Sequence, residues 1–141
     1  MEINYILIGV AVIVQFVLGA VWYSPLMFGK LWMQIHGMSH MSKQELEDMQ
    51  KSMAPFYGLQ LLLTILTTYV LAMFLHYLPM ANSAWAWYGI AGWVWLGFIA
   101  PIQIQTVVWG STQKKFWVKQ IFVMLSYQLV GIMLAAYILS F

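Results

Sequence analysis

The groups in this chain able to do chemistry are mainly amides and hydroxyls set inside apolar runs. Gln60, Thr64 and Thr67 follow i, i+4, i+7 spacing and so share one face of a helix. Gln103 and Thr106 pair at i, i+3 just after Pro101, a residue that leaves the carbonyl near position 97 without its usual backbone donor. Gln15 lies one turn before Gly19, and Gln128 shares a stripe with Gly131 and Ala135. Placed by depth in their runs, Gln15 and Gln128 sit near the middle and Gln60 and Gln103 nearer one end, so four segments offer amides to a common layer. Such a layer has two readings. Either the amides bond across helices and the small residues permit close packing, or they line a hydrated cavity that binds or passes a small neutral or weakly charged solute.

A second cluster is Met33-Gln34-Ile35-His36-Gly37-Met38-Ser39-His40-Met41, with two imidazoles and three thioethers. Histidine and methionine suit Cu(I), which makes His36, His40 and Met33 the residues to weigh as metal ligands. Methionine is common throughout the chain, however, with 11 copies, and the expectation is a solvated loop with no metal and no cofactor. Acid–base groups are confined to the same region: His36, His40, Glu45, Glu47 and Asp48. The long apolar runs contain no Asp, Glu or Arg, so proton-coupled transport on a buried carboxylate has no residue to run it. His76, the one imidazole in such a run, lies near its end and reads as an interfacial group bonded to water or backbone. Without cysteine there is no disulfide, thiolate ligand or thiol nucleophile, and catalysis is not expected.

These groups must be positioned by helices. Of 141 residues, 63% are hydrophobic and 7% charged, against about 25% charged in ordinary soluble domains. No charged side chain occurs between Lys51 and Lys114, an interval long enough to cross a bilayer twice at about 20 residues per crossing. The net charge of +2 is too small to suggest nucleic acid. Four runs meet the length criterion, about 3–23, 55–78, 85–109 and 119–140, and backbone hydrogen bonding in hydrocarbon makes each a helix. The first is too long for a signal peptide, has Glu2 in place of a basic leader and lacks a small-residue cleavage site. The chain therefore reads as one all-α membrane domain over 1–141, a four-helix bundle in contact with lipid.

Orientation follows from the lysines. Lys30, Lys43 and Lys51 lie between the first two runs and Lys114, Lys115 and Lys119 between the last two, whereas the other connection and both ends have none. That asymmetry puts both termini outside and the two longer connections in the cytoplasm, as in a bacterial inner membrane with periplasmic termini. Trp22, Tyr23, Trp32, Trp109 and Trp117 then fall at the inner boundary, with Lys30 and Lys115 beside them, and Trp85 and Trp87 at the outer one. Ser24-Pro25 reads as an N-cap and first helical position. It would begin a short interfacial helix whose apolar face is Met27, Phe28, Leu31, Trp32 and Ile35 and whose polar face is Lys30, Gln34 and Gly37. Ser42-Lys43-Gln44-Glu45 is a capping box for another polar segment that feeds into the second span, with Pro55 at the junction, so 25–52 is a cytoplasmic interfacial region.

Leu18-Gly19-Ala20-Val21-Trp22-Tyr23-Ser24-Pro25 with Phe28-Gly29-Lys30-Leu31-Trp32, the run Trp95-Leu96-Gly97-Phe98-Ile99-Ala100-Pro101, and Tyr127-Gln128-Leu129 resemble an uncharacterised family of small bacterial membrane proteins, a domain of unknown function. The resemblance covers essentially the whole chain in the same order. It implies four spans and no activity. It also implies a histidine after the tyrosine of the last span, where this chain has Gln128. Leu18-Gly19 recurring as Leu96-Gly97 raises the further reading of a parallel internal repeat. The small-xxx-small spacing of Gly131 and Ala135 suggests a homo-oligomer. Binding or permeation of a small polar solute through the Gln/Thr layer is the leading functional expectation. The alternative is a non-transporting accessory protein that packs against lipid or a partner.

Overall fold

In the computed structural model, residues 3–141 are described; Glu2, used above against a signal peptide, lies outside the described residues. In chain order the helices are α1 (Tyr5–Trp22), α2 (Gly29–Ile35), α3 (Lys43–Ser52), α4 (Ala54–Ala81), α5 (Trp87–Val94), α6 (Ala100–Val108) and α7 (Trp117–Leu139). A π-helical turn, Trp95–Ile99, joins α5 to α6, and a 3₁₀ turn, Lys114–Phe116, leads into α7. No strand occurs among the described residues. Four continuous helical stretches are long and apolar enough to span a membrane: Tyr5–Trp22, Ala54–Ala81, Trp87–Val108 and Lys114–Leu139.

Each boundary has a local cause. Asn4 caps α1, its side-chain oxygen accepting from the amides of Ile6 at 3.0 Å and Leu7 at 3.3 Å. The capping box before α3 forms in both directions: Ser42 N–H donates to Glu45 Oε2 at 2.6 Å and Glu45 N–H donates to Ser42 Oγ at 3.2 Å. The hydrogen bond from the Ser42 backbone, then that from its side chain, holds the Glu45 carboxyl below its ordinary range. Helix α3 breaks from α4 at Met53 alone, and Pro55 falls in the first turn of α4, where its missing N–H would have had no partner. In the third span Pro101 cannot donate, and the preceding turn widens: Ala100 N–H bonds Trp95 O in the i to i−5 pattern of a π-helix. Leu96-Gly97 thus sits in a π turn and Leu18-Gly19 in regular α-helix, so the two motifs are locally unlike.

The short stretch after α1 departs from the sequence expectation. Ser24-Pro25 does not start a helix; residues 24–28 form consecutive turns and α2 begins at Gly29. The Ser24 hydroxyl serves both sides of the junction, donating to Val21 O at 2.7 Å at the end of α1 and accepting from Leu26 N–H at 3.2 Å, but the chain after Pro25 closes into tight turns instead of continuing as a helix. The Ser24 carbonyl accepts from Met27 and Gly29, and a Cβ on Gly29 would lie 2.6 Å from the backbone of Tyr23 and Ser24, so the turn closes only on glycine. Helix α2 is amphipathic as expected, with Ile35 buried and Lys30 and Gln34 exposed, while Met27 is displaced to the turn and exposed. It ends in a Schellman motif at Gly37 (φ +69°), with Met38 N–H to Met33 O at 2.8 Å and Gly37 N–H to Gln34 O at 3.3 Å.

Helix α7 is the hub. It packs on α1, on all parts of the third span and on α4, and α1 also packs on α4, whereas α4 meets the third span chiefly through α5. The apolar centre is made of small and branched side chains: Ala11, Leu71, Ala91, Ile132, Ala135 and Ala136. Gly131 and Ala135 are buried, and a Cβ on Gly131 would sit 3.8 Å from Leu18, so the face that suggested oligomer contact is filled by α1 of the same chain. Two indoles fasten the neighbours to α7: Trp22 Nε1 donates to Val123 O and Trp95 Nε1 to Leu125 O, both at 3.2 Å.

At the end of the bundle holding the α1–α2 turn, an aromatic cluster ties that turn down. Trp22 meets Phe28 (5.2 Å between centroids) and Tyr127 (6.2 Å), Tyr23 meets Tyr127 (5.4 Å) and Trp32 (5.0 Å), and Phe28 meets Phe122 (6.3 Å). Tyr127 reaches this cluster by crossing α1 at Gly19, where an added Cβ would lie 2.9 Å from its hydroxyl and 3.6 Å from Cζ. Gly19→Ala should therefore cost about 1–3 kcal/mol of stability through overpacking. Adding Tyr127→Phe should restore most of it, because the remaining contact is ordinary. Unfolding midpoints of both variants in a lipid environment check this; no recovery in the double variant would show that the hydroxyl is not the obstacle.

Candidate functional site

A cavity of about 610 Å³ opens where α4 diverges from the third span. Its walls are apolar: Leu66, Val70, Leu71 and Phe74 from α4, and Val94, Phe98, Ile99 and Ile102 from the third span. The polar groups are Gln15 of α1, Thr67 and Thr68 of α4, Gln103 of α6 and Gln128 of α7, so every spanning stretch contributes at least one. Phe98, Ile102 and Leu66 at the rim are 67%, 61% and 57% exposed, so the cleft faces outward from the bundle rather than along its axis. Phe98 and Ile99 of the π turn form part of that wall.

One side of this polar set is fully wired. Gln15 Nε2 donates to Ala11 O at 3.2 Å and to Thr68 Oγ1 at 2.8 Å, and the Thr68 hydroxyl donates to Thr64 O at 2.7 Å. This chain links α1 to α4. The other side is free: among the described residues the Gln103 and Gln128 amides have no hydrogen-bond partner, and both line the cavity. A bare amide at membrane depth costs several kcal/mol, on the order of an unpaired polar group moved to hydrocarbon, unless water or a solute meets it.

Some of the expected layer assembles and some does not. Gln15, Thr67, Gln103 and Gln128 all line the cleft. Gln60 does not: it is exposed, on a stretch of α4 that stands clear of the bundle, and its amide donates within the helix to Thr64 Oγ1 at 3.3 Å. Thr64 is buried and donates back to Gln60 O, and Thr106 is exposed and donates to Ile102 O. Thr68 is the residue the sequence reading missed. It belongs to the same stripe at i+8 from Gln60, and the Thr67-Thr68 doublet was the available signal. Gln120 was also missed; it is buried on α7 and its side-chain oxygen has no partner among the described residues.

On the opposite side of the apolar centre lies a smaller cavity of about 280 Å³, which His76 lines with Asn4, Trp87 and Ser140. Leu71 and Ile132 border the large cleft and belong to the central cluster, while Leu75 and Leu139 pack on that cluster and border the small cavity. The two spaces are thus separated by apolar packing. Around the Met/His cluster, His36 and His40 are exposed; the His36 ring lies 4.1 Å from that of Trp32, with Nδ1 2.9 Å from Trp32 O. No group of three His, Cys, Asp or Glu side chains that could hold a metal occurs among the described residues.

With the four-span bundle and its cleft in view, comparison with known families gives a match over residues 6–140 to the family described as "Protein of unknown function (DUF1761)". The chain belongs to the DUF1761 family. No curated protein and no solved structure matches it.

In this DUF1761 chain the aromatic and basic residues assigned to the membrane boundary have unequal roles. Trp109 is 87% exposed and Lys30 and Lys115 are exposed, Lys115 lying 4.9 Å over the Phe116 ring. Trp117 donates to Thr112 O at 2.9 Å with Lys114 over its ring, and Trp85 is exposed. Trp87 packs on Tyr137, Tyr23 and Trp32 pack on each other, and Trp22 is buried against α7. Trp22 is therefore a bundle residue rather than a surface anchor. The reason is the α1–α2 turn, which folds its ring inward over Phe28.

The wired and unwired amides should respond differently to removal. Gln15→Leu breaks the bond to Thr68 and should cost about 0.6–2 kcal/mol, the worth of an interhelical hydrogen bond in a bilayer. Gln103→Leu and Gln128→Leu lose no internal partner and should leave the unfolding midpoint unchanged or raise it. Equal losses for all three would mean that the free amides are bonded within the folded chain.

Proposed function

We propose that this chain is a membrane protein that binds a small neutral solute in the cleft between α4 and the third span. The observation that carries the reading is the convergence of Gln15, Thr68, Gln103 and Gln128, from all four spanning stretches, on one cavity of about 610 Å³ in which two amides lack an internal partner. That volume lies in the range of about 300–1,000 Å³ common to ligand sites, and an apolar wall with a few convergent polar groups is their usual composition. No charged side chain lines the cleft, which favours an uncharged solute over an ion. Binding is better supported than open permeation in a single copy, because the Leu71–Ile132 packing closes the way to the opposite cavity.

Short neutral amides and alcohols, such as butyramide and butanol, are the probes. Each solute that fits should raise the unfolding midpoint of the wild-type chain by mass action, about 2.7 kcal/mol at 100 times its dissociation constant. The Gln103→Leu/Gln128→Leu variant should lose that response while remaining folded. A panel of neutral amides and alcohols, short-chain and long-chain, that leaves the wild type unmoved would defeat the reading and leave the accessory role, in which the chain packs against lipid or a partner.

The lysine asymmetry supports an orientation with both termini outside, in an inner membrane, and with α2, α3 and the 109–113 connection in the cytoplasm. Ser111 and Ser140 are exposed on opposite sides of the bundle in that arrangement, and the chain has no native cysteine. In intact cells Ser140→Cys should react with an impermeant thiol reagent and Ser111→Cys should not. The reverse pattern would invert the orientation.

A further inference from the structure

The donors and acceptors left over in the cleft define more than polarity. The Ala11 carbonyl can only accept, so the Gln15 amide nitrogen must face it, and that nitrogen spends both hydrogens on Ala11 O and Thr68 Oγ1. The Thr68 hydroxyl spends its hydrogen on Thr64 O. What Gln15 can still offer is its side-chain oxygen, an acceptor. Gln103 and Gln128 each add an NH₂ donor and a carbonyl acceptor. A ligand head that only accepts, such as a quinone or an ester, would leave the Gln15 oxygen bare. One that is ionised would carry its charge to a place without a counter-charge, a cost the site has no group to offset. A neutral head that both donates and accepts, a hydroxyl or a primary amide, satisfies the set.

The route of entry restricts the body of the ligand. The rim residues Leu66, Phe98 and Ile102 are exposed on the side surfaces of spanning helices, where the surrounding medium is lipid hydrocarbon. The inner wall is apolar and the far side is closed by the central packing. A molecule reaching Gln128 this way arrives through the acyl-chain region and leaves its apolar part against Phe98 and Ile102.

Resting on the binding reading above, we propose that the cleft receives, laterally from the bilayer, an uncharged long-chain alcohol or primary amide, with its head on Gln15, Gln103 and Gln128 and its chain along the gap between α4 and the third span.

The test uses the full chain in phosphatidylcholine nanodiscs and photoreactive hexadecanol carrying a mid-chain diazirine. The comparison probes are the matching alkane and the matching trimethylammonium, each with the same diazirine. The alcohol should label the α4 and π-turn segments saturably, and unlabelled hexadecanol or hexadecanamide should compete. The other two probes should give only unsaturable labelling. Gln103→Leu/Gln128→Leu should lower saturable labelling by about tenfold, as expected for the loss of one or two hydrogen bonds. Its labelling of the exposed α4 face around Leu62 serves as the internal control and should not change. An alkane that labels the cleft as the alcohol does, or a variant that labels like the wild type, would overturn the proposal, because the groove would then hold ordinary lipid chains. If butyramide or butanol stabilises the wild type while hexadecanol shows no saturable labelling, the lateral lipophilic ligand is wrong and the binding reading survives. If neither acts, the binding reading falls with it.

Discussion

Hydrocarbon offers no partner to a polar group, and the way this chain meets that constraint decides where everything else goes. The backbone meets it by forming helices. Many of the polar side chains meet it by bonding to backbone carbonyls that have a lone pair to spare, and two tryptophans do so on α7. Trp22 and Trp95 donate to Val123 O and Leu125 O, fewer than three residues apart, from helices on two sides of α7. Because those anchors are rigid and bulky, α1 and the third span have one azimuth each against α7. Helix α4 has no such anchor on α7; it is fixed instead through α1, by the Gln15–Thr68–Thr64 chain and by Ala72 packed with Ile8 and Val12.

A gap between α4 and the third span is the geometric result. The π turn before Pro101 inserts an extra residue into the third span, and its Phe98 and Ile99 line the gap. Behind the gap the centre of the bundle is closed by alanines and by Leu71 and Ile132, where close approach is possible. The same molecule therefore contains a tight half and an open half. The open half is where amides without internal partners collect, a consistent placement, because a tightly packed centre with bare amides would carry their full desolvation cost. Gln120 is the exception, buried with its oxygen unpartnered among the described residues.

The α1–α2 turn shows how a motif read as a membrane-surface signature also carries tertiary information. Its aromatic residues do cluster where the chain leaves the first span. Yet Trp22, Tyr23 and Phe28 spend their rings on Tyr127 and Phe122 of α7, and Gly19 and Gly29 are small because Tyr127 and the turn backbone press against them. The turn thereby closes one end of the bundle and fixes the register between the first and last helices.

What the sequence determined by itself was everything set along the chain: four apolar runs, the helix-only backbone, the capping box at Ser42, the proline positions, and the amides available to a polar layer. These depend on local composition and spacing, which one strand of residues states completely. What only the tertiary structure decided was direction around each helix axis. A helix that is apolar on every side carries little contrast between its faces, so the sequence could not say that Trp22 points inward, that Gly131 and Ala135 pack on α1, or that α4 turns Thr68 rather than Gln60 toward Gln15. Nor could it place the start of α2 at Gly29, which depends on a turn that brings Gly29 against the backbone of Tyr23 and Ser24. Those choices are made by what each face meets, and they appear only when α7 has gathered its neighbours.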